Sequence, residues 1–151
     1  MVRGLASVHL VVALSGVIVI GMALAVAFSV APAEDPSATL SVSVDGDDGE
    51  IALVHEGGET LDVTELSLCI EVDGDRLAEQ PSVPFFSVDG FESGPTGPFN
   101  SRSPNQWEPD ERASFRLAGT NEPMLSPGDS VTVLVVSDSE GIVLDETVTA
   151  R

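Results

Sequence analysis

Two side chains in this sequence could move a proton or attack a carbonyl near neutral pH, the imidazole of His55 and the thiol of Cys69. The other histidine, His9, lies in an uncharged apolar run. A nucleophile–histidine–carboxylate triad would have to use His55, with a serine or Cys69 as nucleophile. His55 precedes Gly57-Gly58 at the end of an extended run, so it reads as a residue that hydrogen-bonds its own turn. Cys69 sits mid-strand on the face opposite Leu68 and Ile70 and reads as a small, half-buried side chain. A lone exposed thiol could instead cross-link two chains. Asp45, Asp47, Asp48 and Glu50 could offer oxygens to a hard cation, but Gly49 falls where the EF-hand calcium-loop pattern needs its third ligand. Asp73 and Asp75, around Gly74, carry the same reservation.

No phosphate-binding glycine loop, dinucleotide fingerprint or G-x-S-x-G elbow occurs. A single cysteine excludes an intramolecular disulfide and a cysteine-based zinc site. Asn100, Asn105 and Asn121 all fail the N-glycosylation pattern at its third position. The reading is of a chain that is not an enzyme, with no catalytic, cofactor-binding or metal residues.

The elements that would position these residues fall into two parts. The chain has 151 residues, with 25 Asp+Glu against 6 basic residues, all Arg, for a net charge of −19. That balance excludes a nucleic-acid partner, because phosphate contacts need a basic face. It also excludes a protein lying on anionic lipid. Residues 4–33 hold no Asp, Glu, Lys or Arg, and every acid lies from Glu34 onward. The acids are dispersed, which reads as a solvated surface suited to salt that screens its self-repulsion.

Leu5 to Ala31 is apolar apart from Ser7, His9, Ser15 and Ser29, which is long enough for a membrane-spanning helix and long for a cleaved signal. Arg3 before the run, and Glu34 and Asp35 after it, place the N-terminus inside and the acidic part outside. Gly21, Ala25 and Ser29 repeat at four-residue spacing and would share one face, as helix-packing residues. Pro32 and Pro36 close the run as a short, stiff linker.

Beyond the linker, apolar residues alternate with polar ones and Gly/Asp/Pro turns recur, which predicts strands. Thr39–Val44 and Ile51–His55 form a hairpin; Leu61–Val63 and Leu66–Val72 follow, the latter with Leu66, Leu68, Ile70 and Val72 on one face. Val83–Val88, interrupted by Pro84, is expected as an edge strand. Phe91–Asp110 reads as a long loop in which Trp107 plugs one end of the domain. Arg112–Leu117, Val131–Val136 and Ile142–Val148 complete about eight strands, the mark of an antiparallel sandwich or Greek-key barrel.

Taken in order, these features resemble the archaeal type IV pilins, in particular haloarchaeal pilin-like proteins. Arg3-Gly4 before the apolar run looks like a class III signal. The run Ile51–Leu61, with His55-Glu56-Gly57-Gly58-Glu59-Thr60, is similar to the family's strand-turn-strand. Gly97-Pro98-Phe99-Asn100, Trp107-Glu108-Pro109-Asp110-Glu111 and Leu125-Ser126-Pro127-Gly128-Asp129-Ser130-Val131 look like its later elements. The resemblance implies a signal segment at 1–4 cut between Gly4 and Leu5 by a prepilin peptidase. It further implies a transmembrane and assembly helix at 5–31, a linker at 32–37 and an extracellular Ig-like or Greek-key β-sandwich at 38–151. The function it implies is a filament subunit that polymerises with other pilin subunits and meets membrane lipid through residues 5–31, without cofactors. A signal-anchored surface binding domain, or an archaellum-associated accessory protein, would share the same layout.

Overall fold

A computed structural model describes residues 37–151. Strands are β1 (Ala38–Asp45), β2 (Glu50–Gly58), β3 (Leu61–Asp62), β4 (Leu66–Val72), β5 (Asp75–Arg76), β6 (Gln106–Trp107), β7 (Arg112–Arg116), β8 (Ser130–Ser137) and β9 (Gly141–Thr149). They form an antiparallel sheet ordered β1-β2-β7, another ordered β5-β4-β8-β9, and a small β3-β6 ribbon. One hydrophobic core serves all three, so the architecture is all-β and sandwich-like.

The expectation of a transmembrane helix followed by an antiparallel sandwich is corrected by this fold. Helical structure among the described residues amounts to two 3-10 turns of three residues, Val63–Glu65 and Gly97–Phe99. No helix there is long and apolar enough to cross a membrane. The physical reason is the pattern beyond the linker, where apolar residues recur every second position and nowhere build a helical stripe. The helix expected at 5–31 and the signal at 1–4 lie outside the described residues, as does the linker up to residue 36. So do Gly4, Leu5, Gly21, Ala25 and Ser29.

The alternation sorts side chains as elementary sheet geometry requires. Leu66, Leu68, Ile70 and Val72 of β4 all point inward and are buried, as are Val131, Val133 and Val135 of β8. The β1-β2 hairpin turns through Gly46–Gly49, where the Asp45 carboxylate accepts from the amides of Asp47 (2.9 Å) and Asp48 (3.1 Å). At the other end of that hairpin Gly58 adopts φ +99°, and a Cβ there would stand 2.2 Å from the carbonyl oxygen of Ser37. The first 3-10 turn is capped by Asp62; the Thr64 hydroxyl and then its backbone N–H hold that carboxyl below its ordinary range.

Two expected strands are shorter than their sequences suggest. Val63 leaves the strand begun at Leu61 and opens the 3-10 turn. Val83–Val88 forms no strand: only Phe85 bridges, donating its N–H to Phe99 and accepting from the N–H of Ser101. Pro84 has no donor to extend a ladder, and Phe86 turns outward under the Arg102 guanidinium, 3.9 Å above its ring.

Gly58→Ala is expected to lower stability by about 1–3 kcal/mol, because it meets both a left-handed backbone and a carbonyl wall. Gly57→Ala, with nothing within 4 Å of the new methyl, is expected to stay within about 0.5 kcal/mol. Thermal or urea unfolding of both variants checks the pair.

Candidate functional site

The sequence singled out His55 first, and the structure places it in the interior of β2 rather than at a strand end. It is fully buried. Its Nε2 lies 2.7 Å from the carbonyl oxygen of Glu59. A carbonyl only accepts, so Nε2 carries a proton and donates it. Nδ1 is buried, with no hydrogen-bond partner among the described residues. The ring lies edge-on to the indole of Trp107, centroids 6.1 Å apart. The backbone around it is equally committed: His55 N–H donates to Glu111 at 3.0 Å, and Asp110 N–H donates to the His55 carbonyl at 2.7 Å. Among the described residues the ring's one hydrogen bond is to the Glu59 carbonyl, so the imidazole acts as a packing piece that closes its own turn.

Trp107 is the plug that its position suggested. It is fully buried, and its Nε1–H donates to the Glu111 carbonyl at 2.9 Å. It sits in β6 and packs against Phe99, with centroids 5.2 Å apart.

Cys69 lies on the outer face of β4, half-buried and opposite Leu134. The acidic turns are built inward on themselves. Asp45 caps its own turn, Asp73 accepts from the Ser130 N–H at 2.9 Å, and Glu50 is held by arginine. Among the described residues no three His, Cys, Asp or Glu side chains gather as metal ligands would. The geometry thus leaves His55, Cys69 and the acidic turns apart from one another.

A polar cluster that joins β2 and β7 was not singled out from the sequence. On the outer face of the β1-β2-β7 sheet, Arg112 Nη2 donates to Glu50 Oε1 at 2.7 Å, while Arg116 Nε lies 3.9 Å from Glu50 Oε2. Ser114 Oγ reaches the same carboxylate at 3.3 Å and lies 2.7 Å from Thr96 Oγ1. Together with Glu92 and Ser93, several of these residues line a groove of about 300 Å³. The alternation Arg112-x-Ser114-x-Arg116 is the signal that could have found it, since residues two apart on a strand share a face. Two guanidinium groups share one carboxylate here, in a chain that has few cations to spend. Both arginine side chains are about half exposed, at 49% and 51%, so each pair adds little to stability. Chemically the cluster can hold polar groups of a ligand or partner.

No family model matches this chain, and no curated protein matches it.

Deleting the plug and deleting the surface pair should separate cleanly. Trp107→Ala is expected to cost about 3–5 kcal/mol, through a large cavity and the loss of one of the two hydrogen bonds to the Glu111 carbonyl. Arg112→Ala is expected to cost about 1 kcal/mol or less. Chemical denaturation of the two variants under one buffer condition checks both.

Proposed function

We propose that this chain is a structural subunit of a cell-surface filament, of the type IV pilin-like kind. One observation carries the reading: a single sequence joins the charge-free run 4–33, led by Arg3-Gly4, to an acidic all-β domain. Apolar runs gathered from many copies would exclude water along the filament axis, and that burial would drive assembly. The acidic domains would face outward. Their mutual repulsion falls off over about 3 Å in molar salt, which lets such surfaces lie side by side. In this reading a prepilin peptidase cuts between Gly4 and Leu5, membrane lipid holds the run before assembly, and other subunits hold it afterwards.

A second reading, a tethered binding domain at the cell surface, is favoured by the groove beside Arg116 and Glu50. The N-terminus separates the two. Intact mass and N-terminal sequencing of the protein from native membranes and shed surface material are expected to give a start at Leu5. A start at Met1 or Val2 would give the tethered domain precedence, and a start at Glu34 would discard both readings. Gly4→Phe is expected to abolish the cut; normal maturation of that variant would contradict the filament reading.

A further inference from the structure

The edge of β7 that faces away from β2 is crossed by the segment that follows Phe91. Two backbone bonds fix the crossing: Glu92 N–H donates to the Arg116 carbonyl at 2.9 Å, and Thr96 N–H donates to the Ser114 carbonyl at 2.9 Å. Two positions separate Ser114 from Arg116, while four separate Glu92 from Thr96. The surplus has to leave the edge as a bulge. It turns at Gly94, with φ +79°, whose N–H donates to the Phe86 carbonyl at 2.8 Å. The groove of about 300 Å³ beside β7 is the space so opened, at the lower end of the range of about 300–1,000 Å³ for small-molecule sites. Backbone bonds hold both of its sides, so the opening is formed before a ligand arrives.

The charged groups around the groove are unequally committed. Glu50 gives Oε1 to Arg112 at 2.7 Å and Oε2 to the Ser114 hydroxyl at 3.3 Å. Arg116 is left with a 3.9 Å approach through Nε, its one ion pair among the described residues. A guanidinium carries a planar fork of donors that matches a carboxylate through two parallel bonds. Arg116, half exposed at the groove, has that fork to offer. The crossing segment presents a different surface. Ser93 donates its proton to Ser87 at 3.2 Å and keeps its lone pairs, and Thr96 adds a second hydroxyl. Glu92, exposed, accepts hydroxyl protons and repels another carboxylate.

We propose that this groove binds a sugar acid, a hydroxylated ring bearing one carboxylate. The carboxylate takes the Arg116 fork, and the ring hydroxyls take Glu92, Ser93 and Thr96. Pro95 and Phe115 supply apolar surface for the ring C–H groups. A second carboxylate on the ligand would meet Glu92, and a neutral sugar would leave the fork empty. The domain's other acids repel an anion at a distance. In molar salt that repulsion is screened within about 3 Å, and contacts at hydrogen-bond distance persist. The proposal rests on the reading of the domain as a surface binding module and names its ligand; a filament would display the same groove.

The test uses the full chain, labelled with nitrogen-15, in molar salt and a sugar-free non-ionic detergent. It follows the side-chain N–H signals of the six arginines by NMR. Glucuronate is expected to shift the Arg116 signal together with the Ser93 and Thr96 amides, to saturation, while Arg76 on β5 stays unmoved. Glucose and succinate are each expected to bind about tenfold more weakly or worse, since each lacks half of the match. Arg116→Gln is expected to weaken glucuronate binding about tenfold or more. Glu92→Gln, at an exposed position that folding does not need, is expected to bring succinate within about threefold of glucuronate. Methyl glucuronide binding as tightly as the free acid assigns the ligand to a glycan chain, and weaker binding assigns it to a free sugar acid. The proposal is overturned by the lack of a saturating shift at Arg116, or by glucose or succinate binding wild type as well as glucuronate. Glucuronate binding unchanged by Arg116→Gln, or succinate still excluded by Glu92→Gln, would overturn it too. None of these outcomes bears on the N-terminal cut, which separates the tethered domain from the filament subunit.

Discussion

Apart from the two residues of β6, the backbone of the stretch from Leu77 to Glu111 has to find hydrogen-bond partners outside any sheet, and the rest of the domain depends on how it does so. Buried N–H and C=O groups are costly when unpaired. Side-chain amides supply the missing ladder. Gln80 accepts from the Ile70 N–H at 2.7 Å and donates back to the Ile70 carbonyl at 3.0 Å, standing in for a neighbouring strand beside β4. Asn121, buried, bonds Glu79 on both sides and donates to Gly90 at 3.1 Å. Asn100 ties Pro95 to Arg102. So anchored, the stretch runs along the free edge of β7 through Glu92 and Thr96, and it delivers Phe85, Phe91, Phe99 and Trp107 to the core. Phe115 of β7 meets Phe91 at 5.3 Å and Phe99 at 5.9 Å. Without this segment the three-stranded sheet would have no cover over its aromatic half.

The strands and their inward faces were legible in the sequence because alternation is a local signal that burial enforces. The β4 row from Leu66 to Val72 and both long hairpins follow it. The irregular segment was not legible, for a physical reason. An amide that replaces a strand works through one side chain at one position, and Gln80 or Asn121 looks in sequence like any polar loop residue. Val83–Val88 carried a strand-like pattern, yet Pro84 and the outward turn of Phe86 left Phe85 alone to bridge. The polar cluster was legible in half: Arg112, Ser114 and Arg116 share a face by spacing, but nothing local says that Glu50 of β2 stands beside them. His55 was placed correctly in its hydrogen bond to its own turn and misplaced in its setting, since it lies inside β2.

Charge and core divide the labour of the domain. The apolar residues close on themselves, and the acids are left outside, where several cap turns as Asp45, Asp62 and Asp73 do. Such a surface resists contact with copies of itself in dilute salt and permits it when salt screens the charge. Contacts between copies then have to come from apolar surface, either the run at 4–33 or faces where acids are sparse. The layout is the one the proposed filament needs, held by apolar segments and displaying acidic domains.

Electron microscopy of intact cells and shed surface material, with gold-labelled antibody raised against the acidic domain, tests that idea most directly. Filaments decorated along their length are the result predicted here. Label confined to smooth cell envelope, with no decorated filament in cells that make the protein, would contradict it.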